Sequence, residues 1–219
     1  MRRRWMTILV TVTFLVVGGS AFGFGLPKLG GNSGAATVNQ DEIMKRQSEL
    51  VRSYMAASLQ IATAQKHMAE AFGFKEQVEE LDAIIRVLGS GNVLTKDGVE
   101  KIQATTKKMD KAISEKIEQN AKLSIEGKKC YKASIPPYLE GIAITAGEVA
   151  PEAKECFEWT KTQIEKAPML EKVKVKKTAD IILYLAPKVG PDLQGFIDTG
   201  VKYVTYAKNN GVEVPKKAA

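Results

Sequence analysis

The chain has 219 residues, 44% of them hydrophobic and 26% charged, with a formal net charge of +7. That length supports one domain with a sizeable core or two small ones. Acids and bases are interspersed along the body, so the charge reads as a soluble surface and not as the clustered basic face of a nucleic-acid-binding protein.

The sharpest feature comes first. Arg2, Arg3 and Arg4 precede an uncharged run of 22 residues from Trp5 to Leu26, followed within that run by the small residues Gly18, Gly19, Ser20 and Ala21. A basic start, an apolar middle and a small-residue exit are the pattern of a bacterial-type export signal. Cleavage is expected after Ala21, with Gly19 at the other small position, and a cut after Gly23 is second choice. An uncleaved anchor is the alternative, because about 20 apolar residues suffice to cross a bilayer. In both cases the three arginines stay inside and the body goes out. Arg2-Arg3-Arg4-Trp5-Met6 also fits a twin-arginine signal, but its usual polar flank is missing, so the general secretory route is preferred. The expected address is the periplasm or the cell surface. Loss of the three leader arginines turns +7 into +4 for the exported body.

The predicted organisation is a signal at 1–21, a tether at 22–38, a helical domain at 39–211 and a loose tail at 212–219. Gly, Ser and Asn dominate between Gly25 and Ala36, which makes the tether flexible. Ala, Lys, Glu, Ile and Val are common in the body and aromatics are few, which favours helices. The first helix begins with Asn39 as cap, Glu42 three residues on, and Val38 packing on Ile43 as a staple. Ile43, Leu50, Tyr54, Ile61, Met68 and Phe72 recur at helical spacing, and Gly73 is the expected stop. A second helix buries Phe74, Val78, Leu81, Ile85 and Leu88, ending at Gly89-Ser90-Gly91-Asn92.

Asp97-x-x-Glu100 opens the third helix, with Thr95 as the competing cap. Its seam is Val99, Ile102, Thr106, Met109, Ile113 and Ile117. The alternating spacing of three and four suits a long partner helix, inside the domain or on another chain. Gly127 weakens the pattern and Pro136-Pro137 interrupts it, so a fourth helix is predicted from Pro137 to Val149. Pro151 fits the first turn of a fifth, and Pro168 marks another break. Lys172, Lys174, Lys176 and Lys177 then lead to an apolar patch at Ile181, Ile182, Leu183 and Leu185. Asp180 is expected to cap a helix or meet solvent. After Pro187 and Pro191 a last helix should turn Leu193, Phe196, Ile197, Val201 and Val204 inward and stop at Asn209-Asn210-Gly211. Gly195 and Gly200 are candidates for close helix approach. Together these elements predict an all-α protein, an irregular bundle of about five to seven helices behind the export signal.

Residues able to do chemistry are scattered. His67 is the single histidine. Its His-x-x-Glu order with Glu70 reverses the Glu-x-x-His of di-metal bundles, which need two such motifs. With Met55, Met68 or Met109 it could ligate a haem, though a lone helix histidine is far more often a surface residue. Glu76, Glu79, Glu80 and Asp82 read as a solvated face. No nucleophile elbow or phosphate loop occurs. The expectation is no catalytic residue, no metal and no cofactor. Cys130 and Cys156 are an even pair in an oxidising compartment, which predicts one disulfide.

Three function classes fit: an exported interaction or scaffold protein, a carrier of an apolar ligand such as a lipid, and a membrane-surface protein. The first is preferred, as a non-enzymatic protein acting by binding an unknown envelope protein or apolar ligand. The carrier would use Ile142 to Val149 and Ile181 to Leu185 as cavity walls. The membrane-surface protein would use Lys172, Lys174, Lys176 and Lys177 on anionic headgroups.

Overall fold

The structure, a computed structural model, describes residues 39–215, all within one compact unit. The predicted signal and tether, the Val38 staple and the last four residues lie outside them. Seven α-helices follow in order: α1 (Gln40–Phe72), α2 (Lys75–Gly89), α3 (Lys96–Glu118), α4 (Ile125–Ile144), α5 (Ala150–Lys166), α6 (Met169–Thr178) and α7 (Asp180–Asn209). A π-helical turn, Thr145–Val149, joins α4 to α5. The described residues are all-helical, with no strand.

Local chemistry sets most of the ends. The Asn39 side chain accepts from the Glu42 N–H at 3.2 Å, Thr95 from Gly98 at 3.3 Å and Ser124 from Gly127 at 2.9 Å. Each satisfies an amide that the first helical turn leaves without a partner. Thr95, not Asp97, is the cap of α3. Gly73 and Gly211 take left-handed backbone, φ 76° and 66°. The next residues then bond back: Phe74 N–H reaches Ala69 O at 2.9 Å and Val212 N–H reaches Ala207 O at 2.8 Å. Both are Schellman stops, with the following apolar side chain folded onto the helix. That docks the start of the expected loose tail: Val212 is buried, and Lys132 pairs with Glu213.

The prolines behave differently from expectation. Pro136 and Pro137 lie inside α4, and Pro187 and Pro191 inside α7. An interior proline removes a hydrogen bond and clashes with the carbonyl four residues back, at about 3 kcal/mol. Here Pro136, Pro187 and Pro191 are exposed, as are Lys132 and Ala133, whose carbonyls the first pair leaves free. Water can serve those carbonyls while the opposite side stays packed. Among the prolines of the described residues, only Pro168 lies at a break between helices. Residues 125–166 therefore run as one helical path.

That path lies antiparallel along the whole of α1. A Cβ placed on Gly127 would sit 2.8 Å from the Ala71 carbonyl oxygen. One on Gly141 would sit 2.7 Å from the Ile61 side chain and 3.1 Å from Ala57 O. Cys156 Sγ approaches Arg46 O at 3.9 Å. The sequence positions of these pairs add to nearly the same total, which is the signature of an antiparallel register. Small residues recur every seven positions on both sides: Ala57, Ala64 and Ala71 on α1, Gly127, Ser134 and Gly141 on α4. They let the two backbones come close.

This path overturns the disulfide. Cys130 and Cys156 are both free thiols. Some 26 residues apart along one helical path, at 1.5 Å per residue, they stand roughly 39 Å from each other. A disulfide needs Cα atoms within about 7 Å.

Helix α7 corrects its predicted face in the same way. It starts at Asp180, so its inward stripe runs from Ile182, Leu185 and Val189 to Gly200, Tyr203 and Ala207. Ile197 and Val201, expected inside, are 40% and 63% exposed. Of the two glycines, Gly200 is the close approach, with Tyr138 3.1 Å from its would-be Cβ, whereas Gly195 has open space.

Candidate functional site

The α3 seam is core. Val99, Ile102, Met109 and Ile113 are buried against the protein's own helices, Thr106 with them, and Ile117 packs at the edge. Its cover comes from within the domain, so the seam says nothing about partners.

The candidates for chemistry are dispersed. His67 sits at the surface with Nδ1 3.0 Å from Glu70 Oε2. Met55, Met68 and Met109 are buried in the core. Glu80 meets Lys108 and Asp82 meets Lys66, each on a partly exposed face. Asp180 is exposed in the first turn of α7, where its charge suits the helix dipole. Burial pushes the Cys156 thiol up to about 11, and raises that of Cys130 with help from Glu70, so neither is an activated nucleophile.

Two interior features were not anticipated. The first is a buried carboxyl. Asp110 Oδ1 accepts from Gln65 Nε2 at 2.8 Å and from the Tyr203 hydroxyl at 3.0 Å. No cation joins them, and desolvation raises Asp110 from its ordinary 3.8 to about 6 despite both donors. Gln65 Oε1 beside it has no partner. Tyr131 in turn donates to the Tyr203 carbonyl at 3.1 Å, so the cluster ties α1, α3, α4 and α7 together.

The second is a cavity of about 40 Å³ walled by Tyr54, Ile61, Gln103, Thr145, Val149 and Phe196. The π turn forms part of its wall: the Ala150 amide bonds the Thr145 carbonyl five residues back, and the Thr145 hydroxyl donates to Gly141 O at 2.7 Å. At its mouth Gln103 donates to Asp192 at 3.1 Å, Lys107 pairs with Asp192 at 3.0 Å, and Tyr184 donates to Gln103 at 3.0 Å. Such a space holds a few waters at most, well short of the roughly 150 Å³ that accommodates benzene. Of the predicted carrier walls, Thr145 and Val149 face it, whereas Ile181, Ile182 and Leu185 are solid core.

The outward feature is α6. It packs on the bundle through Val175, its one buried residue. Met169, Leu170 and Val173 are 83%, 87% and 59% exposed. At 3.6 residues per turn these three and Lys177 fall in a sector roughly 100° wide, opposite Val175. Lys174 and Lys176 lie on its two edges. None of the ion pairs among the described residues engages Lys172, Lys174, Lys176 or Lys177. Helix α6 therefore inverts the usual pattern: its apolar stripe faces water, and lysines rim it. Sequence reading found the lysines but paired them with Ile181 to Leu185, which is buried. The overlooked signal was Met169-Leu170 directly after Pro168, in a helix too short to bury two faces.

No helix among the described residues is long and apolar enough to cross a membrane, and no group of metal-binding side chains occurs among them. Comparison with protein-family models, curated proteins and solved structures finds no match.

Proposed function

We propose that this chain is an exported, non-enzymatic helical protein of the cell envelope that acts by binding, with α6 as its binding surface. The export signal in the sequence supports the address, through the general secretory route to the periplasm or cell surface. The exposure of Met169 and Leu170 carries the binding reading. Leaving large apolar side chains in water forgoes about 1.5–3 kcal/mol each, a cost that a binding surface recovers. Clustered exposed apolar residues with a polar rim are the mark of such surfaces. The carrier reading is the weaker one: the 40 Å³ cavity beside the π turn is too small for an alkyl chain, and the pocket of about 160 Å³ between α2 and α3, walled by Ile84, Val87 and Ile102, has room only for a group about the size of benzene.

Site-specific photo-crosslinking in cells tests this. A crosslinker at Leu170 should give an adduct in the envelope fraction that the same group at Lys45, on the exposed side of α1, does not give. Equal labelling from both positions defeats α6 as the binding surface. Recovery of the chain in the cytoplasm defeats the address.

A further inference from the structure

The occupant of α6 follows from its chemistry and its place in the fold. The helices on either side of α6 are fastened near the start of α1. Upstream, Glu155 pairs with Arg46 at 2.9 Å and the Arg46 guanidinium lies 4.7 Å over the Trp159 ring. Downstream, the Ile181 N–H donates to Gln47 Oε1 at 3.2 Å. Arg46 and Gln47 are within the first turns of α1, which begins at Gln40. The exposed stripe of α6 thus occupies the pole of the bundle where the chain arrives from its N-terminal segment. The 17 residues between the expected cleavage site and Asn39 span at most about 60 Å when fully extended. Where the leader stays as an anchor, the chain joins the body at this pole; where it is cut after Ala21, α6 has to hold the body at a surface by itself.

Charge selects the surface. Helix α6 carries four lysines against Glu171. An apolar stripe with lysines along its edges matches an anionic leaflet: Met169, Leu170 and Val173 enter the acyl boundary while the ammonium groups stay among the headgroups. A protein groove would be expected to pair so many lysines with fixed carboxylates, whereas a lipid surface needs only a negative potential.

We propose that α6 is a lipid-docking element that seats this pole of the protein on an anionic bilayer surface. The proposal rests on the reading of α6 as the binding surface. Its test is co-sedimentation of residues 22–219, which hold the whole compact body, with vesicles. Phosphatidylcholine alone is compared with phosphatidylcholine containing phosphatidylglycerol, at low and high salt. The chain should bind the anionic vesicles, and high salt should release it. The K172Q/K174Q/K176Q/K177Q variant should bind about 100-fold more weakly or worse. The M169Q/L170Q variant should lose about tenfold or more with an unchanged circular dichroism melt, because both side chains are already in water. Equal binding to both vesicle types, or wild-type binding by M169Q/L170Q, overturns the proposal. A protein adduct from position 170 without vesicle binding overturns the lipid occupant and leaves the binding reading standing. Failure of both measurements removes both.

Discussion

Helix α4 hides side chains too small to bury much surface, while α6 displays side chains large enough to bury a great deal. Along α4, Gly127, Ser134 and Gly141 gain little by desolvation. Their value lies in what they permit, namely contact between the α4 path and α1 over its full length. The tyrosines between them, Tyr131 and Tyr138, are then buried and donate to carbonyls on α7. Along α6 the order is reversed. One valine holds the helix down, and three large apolar residues have no cover within the described residues. Fold stability is concentrated where residues are small and close. The capacity to bind is concentrated where they are large and open. The two helices can therefore be changed independently, and the comparison can be tested from both sides.

The largest effect should come from the close seam. In G127A the new methyl meets a backbone oxygen, which cannot move away cheaply; in G141A it meets Ile61. Overpacking of this kind costs about 1–3 kcal/mol per site. The two glycines are about 21 Å apart along the helix, far enough for their effects to add. The double variant should lose about 4 kcal/mol in urea unfolding. Retention of wild-type stability would mean that the two helices are not so close.

Next comes the buried carboxyl. Asp110 titrates at about 6 in the folded protein and near its ordinary 3.8 when unfolded. The folded state therefore binds the proton more tightly. Between those two values stability falls as pH rises, and above about 6 the full cost of the buried charge is present. Two units correspond to about 3 kcal/mol. Asn keeps the oxygen that accepts from Gln65 and Tyr203 but carries no charge. Asp110→Asn should therefore raise stability at neutral pH by about 2 kcal/mol, with the gain disappearing in acid. A gain that does not change with pH would show that the charge is not its source.

The same contrast explains what could be read from the chain. Caps and stops depend on a few adjacent residues, so Asn39, Gly73 and Gly211 were legible. Helical stripes depend on spacing, so the α3 seam was legible too. The α4 prolines were misread because the local rule says what a proline costs, not what the packed opposite face returns. The false disulfide and the missed α6 stripe have related causes. Two cysteines look joinable until the helix between them is known to be continuous. Periodicity shows which residues share a face, but not whether any neighbour covers it.

A smaller effect separates glycines that enable contact from those that do not. Gly195 lies inside α7 with nothing within 4 Å of its would-be Cβ. Alanine there only restricts the unfolded chain and improves helix propensity. Gly195→Ala should stabilise by about 0.5–1 kcal/mol, opposite in sign to the seam glycines. A loss would place an unrecognised contact on that face.

The smallest effect is the most informative about α6. If Met169 and Leu170 were part of the fold, polar replacements would cost several kcal/mol, as large-to-small changes in a core do. Their exposure predicts otherwise. M169Q/L170Q should unfold within about 0.5 kcal/mol of wild type, as surface substitutions do. Gln keeps reasonable helix propensity, so α6 itself should persist. Val175→Ala, about a turn and a half along the same helix, is the internal control. It removes the one buried anchor and should cost about 1–2 kcal/mol at an unchanged exposed face. If the exposed pair proved costly and Val175 silent, α6 would be packed by its other side, and its apolar stripe would belong to the core.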